Sequence, residues 1–479
     1  METRVANSPR TALLLATALL AATVAGCMVG PGYKRPTVTP PNEFRSQVGA
    51  AEAGSLADLP WWQVFNDTAL QSLISEGLAS NYDLQVAVAR IDEASAQVGI
   101  VRADLYPQVG YGALAARQKT LVPIEPPQNF TYNTFGLDTS AAWEMDIWGR
   151  IRHASDAARA NLYAQEDVRR GVMLALVSSI ASGYFALLEF DRELAIAQES
   201  ADTYKRTLDL FTQRFQAGRD SKLGVVRAQA NYESSNATIA ALKRAITQQE
   251  DALCLLIGAY PHPIARGRVL TEQSTPATPV GQTTELLERR PDILQAEQVM
   301  IGANAEIGVA VANFFPRIGL SALFGWDATR PEDLFKSSFN VWQIGANLAG
   351  PIFQGGRLKS AYHAQQAFWD QSIAQYKQAV TVAFQETSDA LIAQQTLVGQ
   401  REALQRQVAA LREAVDLSFQ RYDGGRATYF EVLEAEQQLF PSEDALAQTQ
   451  RDQLVAVVNL YKALGGGWNL KDPEWTQPH

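Results

Sequence analysis

The sequence predicts a mostly α-helical, internally duplicated chain with four amphipathic strands suited to a membrane β-barrel wall and two long αα-hairpins. Three observations carry this: a tandem echo, a period-two pattern at four places, and long proline-free helical stretches. The echo is clearest in RYDGGRATYFEVLEAE (Arg421 to Glu436), which registers without a gap on RFQAGRDSKLGVVRAQ (Arg214 to Gln229) at an offset of 207, that is 421 minus 214. At the same offset LCLLIG (from Leu253) falls on LYKALG (from Leu460), and at 209 ADLYPQVGYGAL (from Ala103) falls on ANFFPRIGLSAL (from Ala312). A repeat of about two hundred residues is the size of a domain, far beyond a solenoid unit.

The N-terminus carries Arg4 and Arg10, the apolar run TALLLATALLAATVA, and then VAGC ending at Cys27. This run is shorter than the ~20 residues of a spanning helix, so it reads as a secretory signal. Removing residues 1 to 26 leaves 39 basic and 50 acidic residues, a net charge of −11. An acidic chain argues against nucleic-acid binding. The other cysteine, Cys254, lies in an apolar helical run and reads as a small core residue.

After a Pro-rich extended segment, a helical pattern starts at WWQVFND and runs to Ala103, where Leu-Tyr-Pro ends it. Alternation follows. Val109, Tyr111, Ala113 and Ala115 oppose Gln108, Gly110 and Gly112; Phe135, Leu137, Trp143, Met145 and Ile147 oppose Asp138, Ser140, Glu144 and Asp146. The second half repeats the pair: Ile318, Leu320, Ala322, Phe324 and Trp326 against Arg317, Gly319, Ser321 and Gly325, then Trp342, Ile344, Ala346 and Leu348 against Gln343, Gly345 and Asn347. The expected strands span about 105–117, 132–148, 315–326 and 340–352. Such strands suit an outer-membrane barrel, but the smallest single-chain barrels need about eight. Three chains pooling four strands each would give twelve.

Between the strand pairs, Ile151 to Ala217 and Leu358 to Tyr422 contain no proline, and each is about 100 Å of helix at ~1.5 Å per residue. Leu404, Val408, Leu411, Val415, Ser418 and Tyr422 form a coiled-coil seam, echoed by Tyr204, Leu208, Phe211 and Phe215. Each helix then meets a glycine turn, at 217–221 or 423–427, and reverses into a second helix. Pro441 falls inside the last of these, where proline costs ~3 kcal/mol unless the helix kinks; Ser442-Glu443-Asp444 after it would recap a new helix.

With these features, Cys27 followed by GPGYKRP, then WWQVFND, ERRPDI (from Glu288), GPIFQGGR (from Gly350) and LYKALGGGW resemble, in order, the TolC family of outer-membrane efflux proteins, in its OprM-like and NodT-like lipoprotein branch. The resemblance covers nearly the whole mature chain. It implies a lipoprotein with diacylglycerol and an N-acyl chain on Cys27, sorted to the bacterial outer membrane because Met28 follows, and no other cofactor or metal. It implies a homotrimer with a 12-stranded barrel in outer-membrane lipid and an α-helical tunnel through the periplasm. Its role would be a passive exit duct, joined by a periplasmic adaptor protein to an inner-membrane transporter of the resistance-nodulation-division type.

The family's periplasmic gate carries two acidic residues three apart beyond the second turn, which places Glu431 and Glu434 there. Both are Glu where the family pattern has Asp, and the first repeat has Gly224 and Arg227 instead. Tyr422 takes the place of a family tyrosine that holds the closed state. At the tips, Gly218 and Gly425 supply the reversals, and Arg219, Leu223, Arg426 and Tyr429 are the expected adaptor-docking residues. The expected division is a signal peptide at 1–26, an extended segment at 27–65, the first repeat at 66–257, a Pro-rich linker at 258–284, the second repeat at 285–465 and a tail at 466–479. An enzyme finds little support: His153, His262, His363 and His479 are in no metal-ligand spacing and no GxSxG is present. A structural coiled-coil lipoprotein is the other alternative, and the four amphipathic strands argue against it.

Overall fold

The computed structural model of the chain describes residues 28–45, 47, 55–122, 127–276, 278–281 and 283–467; Cys27, the signal sequence and the tail from 468 lie outside them. In order come α1 (Thr68–Ser80), α2 (Tyr82–Ala103), β1 (Gln108–Val122), β2 (Gln128–Met145), α3 (Arg150–Gln216), α4 (Lys222–Leu256), α5 (Pro291–Ala312), β3 (Arg317–Ala328), β4 (Asn340–Ala349), α6 (Arg357–Asp423) and α7 (Tyr429–Ala463). The duplication is plain in this order: α3 and α6 each have 67 residues, and α4 and α7 each have 35.

All four strands form one antiparallel sheet in the order β1-β2-β3-β4. Its register gathers the alternating apolar residues on one face: Tyr111 lies opposite Thr139, Leu137 opposite Trp326, Trp143 opposite Leu320, and Phe324 opposite Trp342. The other face gathers small and polar residues, with Gly112 opposite Asp138, Glu144 opposite Gly319, and Gly319 opposite Asn347. A Cβ on Gly112 or Gly319 would come within 3 Å of the Asp138 or Asn347 side chain, and one on Gly325 within 3 Å of the β2 backbone, so glycine here lets polar side chains and the neighbouring strand approach closely. The outer edges of β1 and β4 have no strand partner among the described residues.

Strand ends differ from the sequence expectation for local reasons. β1 starts later, after Pro107, which has no N–H for the ladder, and continues through Arg117 to Thr120, which pair with Phe130 to Asn133 on β2. β2 ends at Met145 because the Asp146 carboxylate turns to cap α3, accepting the N–H groups of Ile151 and Arg152 at 3.0 Å each. Phe315 lies before β3 and stacks on Trp148 at 4.6 Å, whose Nε1 donates to Pro316 O at 2.8 Å.

The described residues fall into two compact units interleaved in sequence, those within 28–37, 90–166 and 295–376 in one, and those within 38–89, 167–294 and 377–467 in the other. The first holds the sheet. In it, Met28 packs on Gly149 where β2 gives way to α3, and Val29 N donates to Trp148 O at 3.2 Å. His153 is buried, with Nε2 3.0 Å from Val29 O and its ring pressed on Gly308, where a Cβ would sit 2.6 Å away.

The second unit holds the tips and the greater part of both hairpins, from 167 and from 377 onward. One 18-residue window of α3 is apolar enough to cross a membrane by composition, but 56% of it is buried, and Leu174, Val177, Ile180, Tyr184, Leu187 and Leu188 are packed inside the unit. Buried Asp67 accepts from Ala69 N at 2.9 Å as the cap of α1, and from Arg268 N at 3.0 Å and Gln273 Nε2 at 2.7 Å. That ties down the Pro-rich linker. Arg290 does the same after it, reaching Asp292, Glu386 at 2.7 Å, and Ala463 O at 3.1 Å at the end of α7. Cys254 is buried, its Sγ accepting from His262 N at 3.4 Å. The helix containing Pro441 is continuous: Ser442 does not recap it but donates its hydroxyl back to Gln438 O at 2.7 Å.

The two-faced sheet makes a direct prediction. Ile344→Arg puts a charge on the apolar face and is expected to destabilise the membrane-inserted barrel by ~2–4 kcal/mol, whereas Gln343→Arg, one residue away, leaves it assembled. Urea unfolding in lipid vesicles measures both.

Candidate functional site: the hairpin tips

The two turns anticipated from the echo are the same turn in atomic detail. Gly218 has φ +68° and Gly425 has φ +67°, a left-handed conformation that favours glycine. Gly218 N donates to Phe215 O at 2.9 Å and Arg219 N to Arg214 O at 2.8 Å; Gly425 N donates to Tyr422 O at 3.0 Å and Arg426 N to Arg421 O at 2.8 Å. The opposite ends of the hairpins also match, with Gly258 at φ +71° and Gly465 at +70°. At both tips Gly218, Arg219, Gly425 and Arg426 are exposed, and Leu223 is 59% exposed.

Behind the turns the hairpins share a small core of Phe211, Ala228, Tyr429 and Val432, flanked by Leu208, Val225, Tyr422 and Leu433. The seam on α6 is as expected: Leu404, Val408, Leu411, Val415, Ser418 and Tyr422 are shielded while the residues between them are exposed. On α3, Tyr204 and Phe211 are buried but Phe215 is exposed, so the seam ends one turn before the tip.

Tyr429 does not lie on the exposed tip. Only 9% exposed, it packs edge-on against Phe211 at 4.9 Å and Tyr422 at 5.2 Å, and its hydroxyl meets Thr207 Oγ1 at 2.5 Å. Its place is inside the joint between hairpins, where it supports the surface residues without meeting a partner. Tyr422 is half-buried; the Arg214 guanidinium lies 4.8 Å from its ring centroid and also donates to its hydroxyl. Burial raises the Tyr422 phenol above its ordinary range, against the pull of Arg214.

Glu431 and Glu434 are both exposed and lie one turn apart on α7. Glu431 pairs with Arg421 across the turn at 3.6 Å; Glu434 has no ion-pair partner among the described residues. Two residues beyond Glu434, sequence reasoning missed Glu436. It continues the buried series Tyr429, Val432, Glu436, Leu439, spaced three, four and three, and is 4% exposed. Tyr429 Oη donates to it at 3.5 Å. A carboxylate at a seam position was the available signal. Thr207 and Arg214 carried none, because their partners are 222 and 208 residues away.

Burial pushes the Glu436 carboxyl up to about 7, with the Tyr429 hydrogen bond and the Arg206 charge pulling the other way. Among the described residues no group of three or more His, Cys, Asp or Glu is gathered as a metal site.

A sheet with one apolar and one polar face, open at both edges and joined to helices of about 100 Å that end in paired tips, defines a channel-forming membrane protein. Comparison with known proteins names the family. The family model for the outer membrane efflux protein matches residues 73–259 and 283–466, one segment per repeat, and the chain belongs to that family. The cation efflux system protein CusC of Escherichia coli O6:H1 is 32% identical over 456 residues, covering 94% of this chain and 97% of CusC. The toluene efflux pump outer membrane protein TtgC of Pseudomonas putida is 32% identical over 465 residues, covering 95% and 96%. The open-state crystal structure of the MtrE outer membrane channel from Neisseria gonorrhoeae matches with a TM-score of 0.83 at 30% identity, over 92% of this chain and 98% of that one. The protein is an outer-membrane efflux channel of the TolC family.

The buried carboxyl makes the tip pH-sensitive in a defined direction. Unfolded, Glu436 loses its proton near the ordinary ~4.3; folded, it keeps it to about 7. The stabilisation it gives is therefore complete below about pH 4 and is lost as the pH rises towards 7. Glu436→Gln, which copies Gln229 at the equivalent place in the first repeat, should remove this dependence. Hydrogen exchange at residues 205–215 and 429–436, corrected for intrinsic rates, should show wild type and variant alike at pH 4 and wild type opening at least tenfold more often at pH 8.

Proposed function

We propose that three copies of this chain pool their strands into a closed twelve-stranded barrel in the outer membrane, with the long helices forming a periplasmic tunnel closed at the tips. The observation that carries this is the sheet: four strands, two-faced, with β1 and β4 each leaving an outer edge open. Backbone groups left unpaired in hydrocarbon cost several kcal/mol each, so β1 of one copy pairs with β4 of the next until the ring closes. The apolar face meets lipid and the polar face lines the passage.

Lipidation of Cys27 fits this placement. Its neighbour Met28 packs on Gly149 at the junction of β2 and α3, the end of a barrel strand, which supports this reading. An aromatic girdle of Trp148 and Phe315 at the same junction suits a membrane interface.

At the tips, Glu431 and Glu434 form the gate, and threefold symmetry makes two acidic rings that attract cations and repel anions. Tyr422, held by Arg214, keeps the second hairpin against the first and so favours the closed state. The periplasmic adaptor docks on the exposed residues Arg219, Leu223 and Arg426 around Gly218 and Gly425, over the joint that Tyr429 fills from within. An inner-membrane transporter of the resistance-nodulation-division type supplies the cargo and the energy. The duct itself performs no catalytic step and does not choose its cargo, which suits relatives named for substances as unlike as cations and toluene.

Two measurements test this. In planar bilayers, Glu431→Ala with Glu434→Ala should enlarge the resting conductance several-fold and weaken cation preference; unchanged currents and ion preference refute the gate. For docking, Leu223→Asp with Arg426→Glu should abolish efflux-dependent resistance in cells while single-channel currents stay at wild-type values. Retained resistance refutes the tip surface.

A further inference from the structure

Pro441 sits in the interior of α7, twelve residues from its start, in a helix that runs unbroken to Ala463. It has no N–H to donate to Gln437 O, and its ring crowds that carbonyl, so the helical ladder is interrupted there. The repeat supplies an internal control. The equivalent position in α4 is Ser234, 441 minus 207, which keeps its N–H. The break therefore occurs in one hairpin only, the one that carries Glu431 and Glu434.

The surroundings suit movement at this point. A groove of about 290 Å³, partly open to solvent, lies beside the break, lined by Ser200, Tyr204, Ser234, Ser235, Pro441 and Asp444 among others. Open space next to a missing hydrogen bond gives the helix room to bend. The Oδ1 atom of Asp444 is buried there without a hydrogen-bond partner.

The attachments of α7 also change in kind at Pro441. Beyond it, the helix is fixed to α6: Glu443 pairs with Arg412, Thr449 accepts from Gln400 at 3.3 Å, Gln453 accepts from Arg401 at 3.1 Å, and Leu454, Val457, Val458, Leu460 and Tyr461 are buried. Before it, residues 429–440 face α3 instead: they are held by the tip core, by the Tyr429 hydroxyl on Thr207 and by Phe440, whose ring meets Tyr204 at 5.8 Å.

We propose that Pro441 is the positioning residue of the gate: residues 429–440 swing about it as a unit while residues 442–463 stay fixed, and this swing sets how far the acidic pair stands from its symmetry mates. The inference rests on Glu431 and Glu434 being the gate. Tyr422 and Tyr429 are the latch that the swing must release, and the proline is what lets the latched segment move without unfolding the helix behind it.

The test is single-channel recording of the full lipidated protein, comparing wild type, Pro441→Ser, Pro441→Gly and the Glu431/Glu434 double alanine, each first checked as a heat-resistant oligomer. Serine restores the N–H and copies the first repeat, so spontaneous openings should fall about tenfold, with open-channel conductance and cation preference unchanged. Glycine restores the N–H but keeps the flexibility, so openings should stay within about threefold of wild type. If the double alanine alters the current while serine leaves opening frequency at the wild-type value, the hinge is wrong and the gate stands. Equal slowing by serine and glycine also overturns the hinge, since a pivot must tell them apart. If neither the double alanine nor serine changes anything, the gate reading fails and takes the hinge with it.

Discussion

A β-sheet in a bilayer must satisfy every backbone N–H and C=O from within the protein, because hydrocarbon offers no replacement. That constraint governs this chain. It brings four strands, too few to close, and leaves the outer edges of β1 and β4 without a strand partner among the described residues. Most of the large apolar residues of the four strands share one face and the other is mostly small or polar, so one face needs lipid or an apolar layer against it while the other needs water. Closure with other copies resolves both demands, and it brings the tips of all copies around one axis. The proposed gate, docking surface and hinge all depend on that arrangement.

Duplication gives the assembly two tips per chain that share a turn but differ in chemistry. The hydrogen bonds of the turns agree within 0.1 Å, at 2.9 and 3.0 Å for the glycine N–H and 2.8 Å for both arginine N–H groups. What differs lies just beyond: Gly224 and Arg227 against Glu431 and Glu434, Gln229 against Glu436, Ser234 against Pro441. Every charged or conformationally unusual member of these pairs, except Arg227, falls in the second repeat. The first hairpin is the plainer scaffold, and the second holds the acidic pair, a buried acid and an interrupted ladder.

Most of the architecture was legible in the sequence because it is periodic. Alternation found the four strands and the side of each that joins the apolar face; three-four spacing found the seam of α6; the repeated glycines found both turns. What was not legible depends on contacts between distant segments. The burial of Tyr429 requires Phe211 and Thr207 from the other hairpin, and the pinning of the Pro-rich linker requires Asp67 to face Arg268 and Gln273. Pro441 read as a helix break because propensity is a local quantity, whereas the packing of α7 on α6 carries the helix through it. Motifs that signal the family proved to be such clamps: Asp67 in WWQVFND, Arg290 in ERRPDI, and Tyr461 in LYKALGGGW, whose hydroxyl donates to Leu59 O at 3.0 Å.

The central claim is that one chain supplies a third of a closed barrel. Native mass spectrometry of the lipidated protein, extracted from outer membranes in mild detergent, tests it most directly. The account predicts one dominant species of three chains, each bearing the added mass of acyl chains on Cys27. A stable monomer, or an assembly of any other number of chains, would contradict it.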